Sequence, residues 1–378
     1  MSYASPYAGL RVVDLSQGIA GPYCAMLLAQ YGADVIKVEP PEGDWSRQLG
    51  KPRGDHTAFS VAGNLGKRSI VLDLKQETDK AHLWQLIESA DVLMEGYRPG
   101  VMARLGFDYE STKARNERLL YVSISGFGQR GPLSTKPAMD PVLQAFTGFM
   151  SANHDASGMP QRCRPIVVDM STALYAFQAL SAALFARQHE TVGRRIEVSL
   201  MEAATNLQCV RMMLSHIEET LPDSVTAPAG IFRCKDGGHL FIVVLRQPDF
   251  ERVCKVLGLD DMGTDPRLGS SQQRYEHMAE VNARVAKAFL ERDTQAWVAD
   301  LTEVGVQNEA VLDYQAFLDH PHIRETGAVA WLHQPGFTDT VPMPNIPGAS
   351  PFEDGAAHAQ SPTLGEHTRE VLDALKPI

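Results

Sequence analysis

Asp169 is the residue whose setting best suits chemistry. It closes a short apolar run, Ile166-Val167-Val168, and a long helical pattern opens behind it with Leu174, Phe177, Leu180 and Leu184 at three- and four-residue spacing. That places the carboxylate at or near a helix N-terminus, where unpaired backbone N–H groups and the helix dipole favour negative charge. Taken alone, the residue reads as a helix N-cap. Beside a suitable electrophile, an ionised carboxylate so held is also a nucleophile.

A second group is cationic. Lys67, Arg68, Lys75, Arg98, Arg104 and Lys136 fall at the ends of predicted strands or in the loops that follow. In a parallel α/β sheet those ends form the ligand crevice, so cations gathered there suit a phosphorylated ligand. Each alone reads as a solvated surface charge. Arg47, Arg53, Arg130 and Arg246 are further candidates to clamp a carboxylate. Other chemistries find less support. The twelve histidines, His154, His189, His216 and His239 among them, form no HExxH-like pattern, so no metal is expected. Ser123-Ile124-Ser125-Gly126 lacks the first glycine of a serine-hydrolase elbow.

These residues need elements to hold them. Leu10–Leu15 reads as a buried strand, Tyr23–Tyr31 as a helix with Pro22 in its first turn, and Asp34–Glu39 as a second strand. That is a βαβ unit, hence a parallel sheet covered by helices. The first turn, Ser16 to Gly21, lacks GxGxxG, so the topology is Rossmann-like without an NAD fingerprint. Pro40–Gly66 reads as a long irregular loop. Strands follow at 69–74, 91–95 and 119–125, with helices at 78–89 and 101–105. Gly126-Phe127-Gly128-Gln129-Arg130-Gly131 matches GxGxxG after a strand, but Pro132 follows and no helix opens to receive a pyrophosphate. Helices are expected at 140–150, from Asp169 to about 189, and at 200–219, with a strand at 196–198. Pro222–Gly230 suits a domain crossing. Beyond it come a hairpin turning at Asp236-Gly237-Gly238, short helices, a strand at 328–333 and a closing helix at 364–375.

With 378 residues, 44% hydrophobic and 21% charged, the chain suits two globular domains. A net charge of −11 argues against broad nucleic-acid binding. Five cysteines without a CxxC pair suggest a reduced protein. Met1–Pro6 does not open like a signal peptide, and the apolar runs are broken too often to span a bilayer. Cytoplasmic location and no membrane partner are the expectation.

Several ordered segments together resemble the class III CoA-transferases, which include formyl-CoA and carnitine CoA-transferases. They are Ala20-Gly21-Pro22 with Gly32–Glu39, Gly66-Lys67-Arg68-Ser69 with Leu72-Asp73-Leu74-Lys75, Glu95–Gly100, and Ser125–Pro132. Asp169 falls where that family keeps its nucleophilic aspartate. The resemblance implies ping-pong transfer of CoA from an acyl-CoA thioester to a carboxylic acid, through aspartyl mixed-anhydride and aspartyl-CoA thioester intermediates. It implies no permanently bound cofactor; CoA is substrate. CoA would lie along Gln17 to Ala20, Leu72 to Lys75, Gly96-Tyr97-Arg98, Arg104 and Lys136 to Met139, with backbone N–H groups of 18–21 or 126–131 as oxyanion donors. The implied fold is α/β: a Rossmann-like large domain with a parallel sheet (1–221 with 327–378) and a smaller α+β domain (222–326), two chains interlocking as a homodimer.

Departures narrow the substrate. Gly96 replaces a usual Asn, Met139 replaces a usual Tyr, and Ile19 stands where formyl-CoA transferases carry a catalytic Gln. Their lid of four glycines and Gln is absent, which argues against oxalate and formate. Met139 also occupies the place of the His used by the family's racemases, which argues against an α-methylacyl-CoA racemase. A CoA- or nucleotide-binding protein without chemistry is the remaining alternative.

Overall fold

The computed structural model describes residues 5–155, 157–219 and 224–376. Met1–Ala4, the domain limits expected at 221 and 222, and the start of the Pro222–Gly230 crossing lie outside the described residues. The chain divides into two compact units, Met1–Met213 with Thr326–Ile378 and Leu214–Glu325.

Up to the boundary the order is β1 (Arg11–Asp14), α1 (Ala20–Gln30), β2 (Asp34–Glu39), α2 (Ala58–Asn64), β3 (Arg68–Val71), α3 (Glu77–Glu88), β4 (Val92–Glu95), α4 (Val101–Leu105), α5 (Tyr109–Arg115), β5 (Leu120–Ser125), α6 (Asp140–Phe146), α7 (Phe149–Ala152), α8 (Val167–Ala186), β6 (Arg194–Ser199), α9 (Leu200–Leu207) and α10 (Cys209–Glu218), which runs across the boundary between the units. The six strands form one sheet in the order β3-β2-β1-β4-β5-β6, every pairing parallel. This is the Rossmann order, and its direction reverses between β1 and β4. Ligands of such sheets bind outside the strand ends at that point.

Side chains alternate across the sheet, as the pleat requires. Val12, Val35, Val92 and Val122 join one core with Cys24 and Leu28 of α1 and Ala173, Ala176 and Leu180 of α8. Val13, Ile36, Leu93 and Tyr121 join the opposite core with Leu83 and Ile87 of α3, Phe107 and Val371. The helix α8 has 20 residues and by length and composition alone is long and apolar enough to cross a membrane, contrary to the sequence expectation. Its alanines make it so despite Asp169 and Gln178, and here it lies as a core helix against the sheet.

The expected irregular stretch 40–66 holds a 3-10 turn, Trp45–Gln48, and α2. Thr57 caps α2 in a reciprocal box with Ser60. The expected helix 140–150 is two helices, broken at Gly148, whose φ is +83°. In the second unit β7 (Ala229–Arg233), β8 (His239–Val243) and β9 (Asn308–Ala310) form an antiparallel sheet. Its core holds Phe232, Leu240, Phe250, Phe289 and Trp297. The hairpin turns where expected, with the Asp236 carboxylate accepting the Gly238 N–H at 3.0 Å.

Candidate active site

The wall of the site starts at the end of β1. Asp14 Oδ1 accepts the Ser16 N–H at 3.0 Å, and Asp14 Oδ2 lies 2.7 Å from Lys67 Nζ. Lys67 also donates to the Pro22 carbonyl at 2.8 Å and to Asn64 at 3.0 Å. Asp44 accepts the Gly18 N–H at 3.0 Å and the Ser46 N–H at 2.9 Å, and pairs with Lys37 Nζ at 2.8 Å. Lys37 reaches on to the Ser16 carbonyl. Arg47 holds Glu39 in a two-pronged pair, both contacts 2.7 Å. Gly18 has φ +84°, and a Cβ there would sit 2.3 Å from the Trp45 ring, so only glycine lets the loop turn under that indole.

Several sequence expectations are corrected here. Lys67 and Arg47 do not await a phosphate or a substrate carboxylate; both are buried and hold acids of the fold. Arg68 pairs with Asp34 at 2.7 Å and Glu370 at 3.1 Å. Arg246 pairs with Asp249 at 2.9 Å within the second unit. The Gly18 N–H, offered as an oxyanion donor, is bound to Asp44.

The loop so fixed lines a cavity of about 530 Å³ at the switch point. Gln17, Ala20, Gly96, Tyr97, Arg98, Lys136 and Met139 all lie on its wall, and so does Asp169. Trp45, Ser125 and Leu200 complete parts of the wall, and composition or spacing gave no signal for them. Leu72 and Lys75 lie instead on a second hollow of about 160 Å³. Leu15 and Tyr97 border both spaces. Arg104 is exposed on α4 and lines neither. Arg130 and Arg53 also stand outside the two spaces.

Asp169 is not the cap of α8. The helix starts at Val167 with Ile166 at the N-cap, which puts Asp169 at the third helical position. The capping carboxylate is Asp140, 1% exposed: its Oδ2 accepts the Val168 N–H at 2.8 Å and the Asp169 N–H at 3.2 Å. Gln144 fixes Asp140 from the other side at 2.6 Å and bonds the Cys163 backbone through both ends of its amide. The N–H groups expected to keep Asp169 ionised thus serve a different acid. Among the described residues the Asp169 carboxylate accepts no hydrogen bond. Burial first, and then the Asp140 charge, push its carboxyl up to about 7. A carboxylate with so high a pKa is more basic and more nucleophilic than an ordinary one, provided it loses its proton.

The sheet has the Rossmann order without the GxGxxG of a dinucleotide site after β1, and over its switch-point crevice stands an acid whose carboxyl is pushed up. The chain belongs to CoA-transferase family III, whose model matches residues 7–368. It is a transferase, and the family implies CoA thioesters as substrates. Similar proteins include the acetyl-CoA:oxalate CoA-transferase of Acetobacter aceti, 33% identical over 96% of this chain and 93% of that one. The succinate–glutarate CoA-transferase of Agrobacterium fabrum is 31% identical over 99% and 96%. The crystal structure of a CAIB/BAIF family protein from Brucella suis superposes with a TM-score of 0.86 at 28% identity, covering 99% of this chain and 100% of that one.

Proposed function

We propose that this chain moves CoA from an acyl-CoA to a small carboxylic acid, with Asp169 as the covalent carrier. The observation that carries the proposal is the unpaired Asp169 carboxylate on the wall of the switch-point cavity. An Asp169 oxygen attacks the thioester carbonyl carbon; the C–S bond breaks, giving a mixed anhydride and the CoA thiolate. The thiolate attacks the aspartyl carbonyl, the first acid leaves as carboxylate, and an aspartyl-CoA thioester remains. The acceptor carboxylate attacks the same carbonyl and displaces the thiolate. The thiolate then takes the acceptor's acyl carbon, restoring Asp169. Proximity supplies much of the rate, because a carboxylate attacks poorly in water.

CoA reaches across both spaces in this reading. Its thioester arm passes Gln17, Gly96, Tyr97 and Met139, while its nucleotide end meets Leu72 and Lys75. Arg98, Lys136 and the outlying Arg104 are the cations for its phosphates. The relatives named for acetyl, oxalate, succinate and glutarate groups point to short mono- and dicarboxylates. A homodimer is part of the same reading: Leu174 and Phe185 of α8 and Leu207 of α9, two helices packed together, are exposed apolar side chains that a second copy would cover. Met139 at the place of a ring base speaks against racemisation.

Incubation with acetyl-CoA or succinyl-CoA and a panel of acids, followed by mass spectrometry, should yield new acyl-CoAs. Hydroxylamine added after the donor alone should leave a hydroxamate on Asp169. A hydroxamate elsewhere, or transfer undiminished in Asp169→Ala, would overturn the mechanism.

A further inference from the structure

The cavity that holds Asp169 opens onto the outer face of α6. Lys136 and Val142 border both that cavity and an open groove whose other lining residues are Pro141, Ala145 and Phe146. The helix has two unlike faces. Leu143 is fully buried in the core shared with α8, whereas Met139, Val142 and Phe146, three and four residues apart, are exposed. Phe146 is braced by Phe127, the two rings edge to face with centroids 5.1 Å apart. The head of α6 adjoins the head of α8, because Asp140 accepts the Asp169 N–H at 3.2 Å. A chain that leaves Asp169 on this side meets Met139 and Val142 first, then Ala145 and Phe146.

Charge points the same way. Ile19, Ala138, Met139, Val142 and Leu200 line the cavity with Asp169. Among the described residues, the cations on its wall are Arg98 and Lys136. Neither relieves Asp169: the charge that acts on its carboxyl is that of Asp140, and it repels. Lys136 has its ammonium over the Phe127 ring, 5.4 Å from the centroid. A second carboxylate on the transferred acid would lose water among apolar side chains and near two acids, which is costly without a cation to meet it. An alkyl chain gains free energy on the same wall by leaving water.

We infer that the transferred acid is a monocarboxylate with an alkyl chain, and that the chain leaves Asp169 along the exposed face of α6, over Val142, Ala145 and Phe146. This rests on the CoA-transfer reading above and narrows its acids. With acetyl-CoA as donor, kcat/KM for the acceptor should rise about two- to fourfold per methylene from propanoate to hexanoate. Pentanoate should exceed glutarate, its dicarboxylic counterpart, by about tenfold or more. Phe146→Ser should lower the hexanoate-to-propanoate ratio by about threefold or more. Ala145 is exposed, so Ala145→Lys leaves the core untouched. That variant should lower the same ratio and favour glutarate over pentanoate relative to the wild type.

A flat or falling response to chain length would overturn the inference. So would glutarate preferred to pentanoate in the wild type, or a ratio unchanged in both variants. Light scattering covers the other occupant of the groove, a second copy of this chain: a ratio that falls only in variants whose copies separate would assign α6 to that contact and overturn the inference. Should the wild type transfer CoA to no acid, the parent reading falls, and calorimetry decides the groove by itself. Hexanoyl-CoA bound more tightly than acetyl-CoA, with the difference reduced in Ala145→Lys, then supports it; equal affinities overturn it.

Discussion

At the carboxyl ends of β1 and β2, Asp14 and Glu39 are buried beside cations; in the first turn of α8, Asp169 is half-buried beside another carboxylate. Burial pushes all three carboxyls up. Lys67 and Lys37 more than reverse this for Asp14. Arg47 and Lys37 bring Glu39 down to about 2. Asp169 has no cation to reverse it and rises to about 7. The same sheet edge therefore builds two kinds of acid. The paired acids hold the Gln17–Ala20 wall and Trp45 in place. The unpaired one is left with basicity to use on a ligand, a common mark of functional sites.

The comparison breaks hardest at Asp169. Asp169→Asn should lower transfer on the order of a thousandfold or more, since the covalent carrier is gone. Folding should not suffer. A carboxyl whose folded pKa is raised binds its proton more tightly folded than unfolded. Its contribution is thus fully present below the ordinary value of 3.8 and is lost as pH rises to about 7. The variant should match the wild type in denaturant midpoint near pH 4 and equal or exceed it at pH 8.

Lys67→Met tests the other side. It strands Asp14 in a site where both side chains are fully buried. Breaking a buried pair in this way costs about 3–5 kcal/mol, so the urea midpoint should fall sharply at pH 7. The paired acids follow the opposite sign from Asp169: with folded pKa values lowered, their stabilisation is present above the ordinary carboxylate range. It is lost on acidification, for Glu39 between 4.5 and about 2. A Lys67→Met protein of undiminished stability would remove the contrast between the two regions.

Much of this was legible in the sequence. Leu10–Leu15, Asp34–Glu39, Asp91–Glu95 and Leu119–Ser125 announce themselves as apolar runs closed by turn residues, and their ordering puts the crevice where the cavity lies. What stayed hidden depends on distant partners. Lys67 resembles a phosphate ligand until Asp14, 53 positions away, is folded against it. Asp169 resembles a cap because the true cap, Asp140, comes from 29 positions earlier and from a different helix. The 3-10 turn at Trp45 and the short α2 sit inside a stretch rich in Gly and Pro, too brief for periodicity to show. Ser125 opens one of the motif segments, but that it ends β5 fully buried shows only once the strands are in register.

The finest test bears on why Asp169 differs. If its ionised form is the attacking one, kcat/KM for the donor should fall about tenfold per pH unit below about 7 and level off above it. Burial is the larger cause of the shift, and the Asp140 charge is the smaller. Asp140→Asn removes that charge and can keep one amide oxygen on the Val168 and Asp169 N–H groups at the head of α8, at the cost of the Gln144 bond, because its NH2 then faces the Gln144 NH2. The acid limb of kcat/KM should then move to lower pH by less than the whole rise above 3.8, because burial is untouched. Relative to its own plateau, the variant should be a few fold more active than the wild type at pH 6. Above pH 8 the plateau itself should fall, since losing the neighbouring charge makes Asp169 a weaker base and a weaker nucleophile. A limb that stays at about 7 in Asp140→Asn would assign the shift to burial alone. A limb absent from the wild type would mean that Asp169 is already ionised across the range, and that the two carboxylate regions differ less than their surroundings imply.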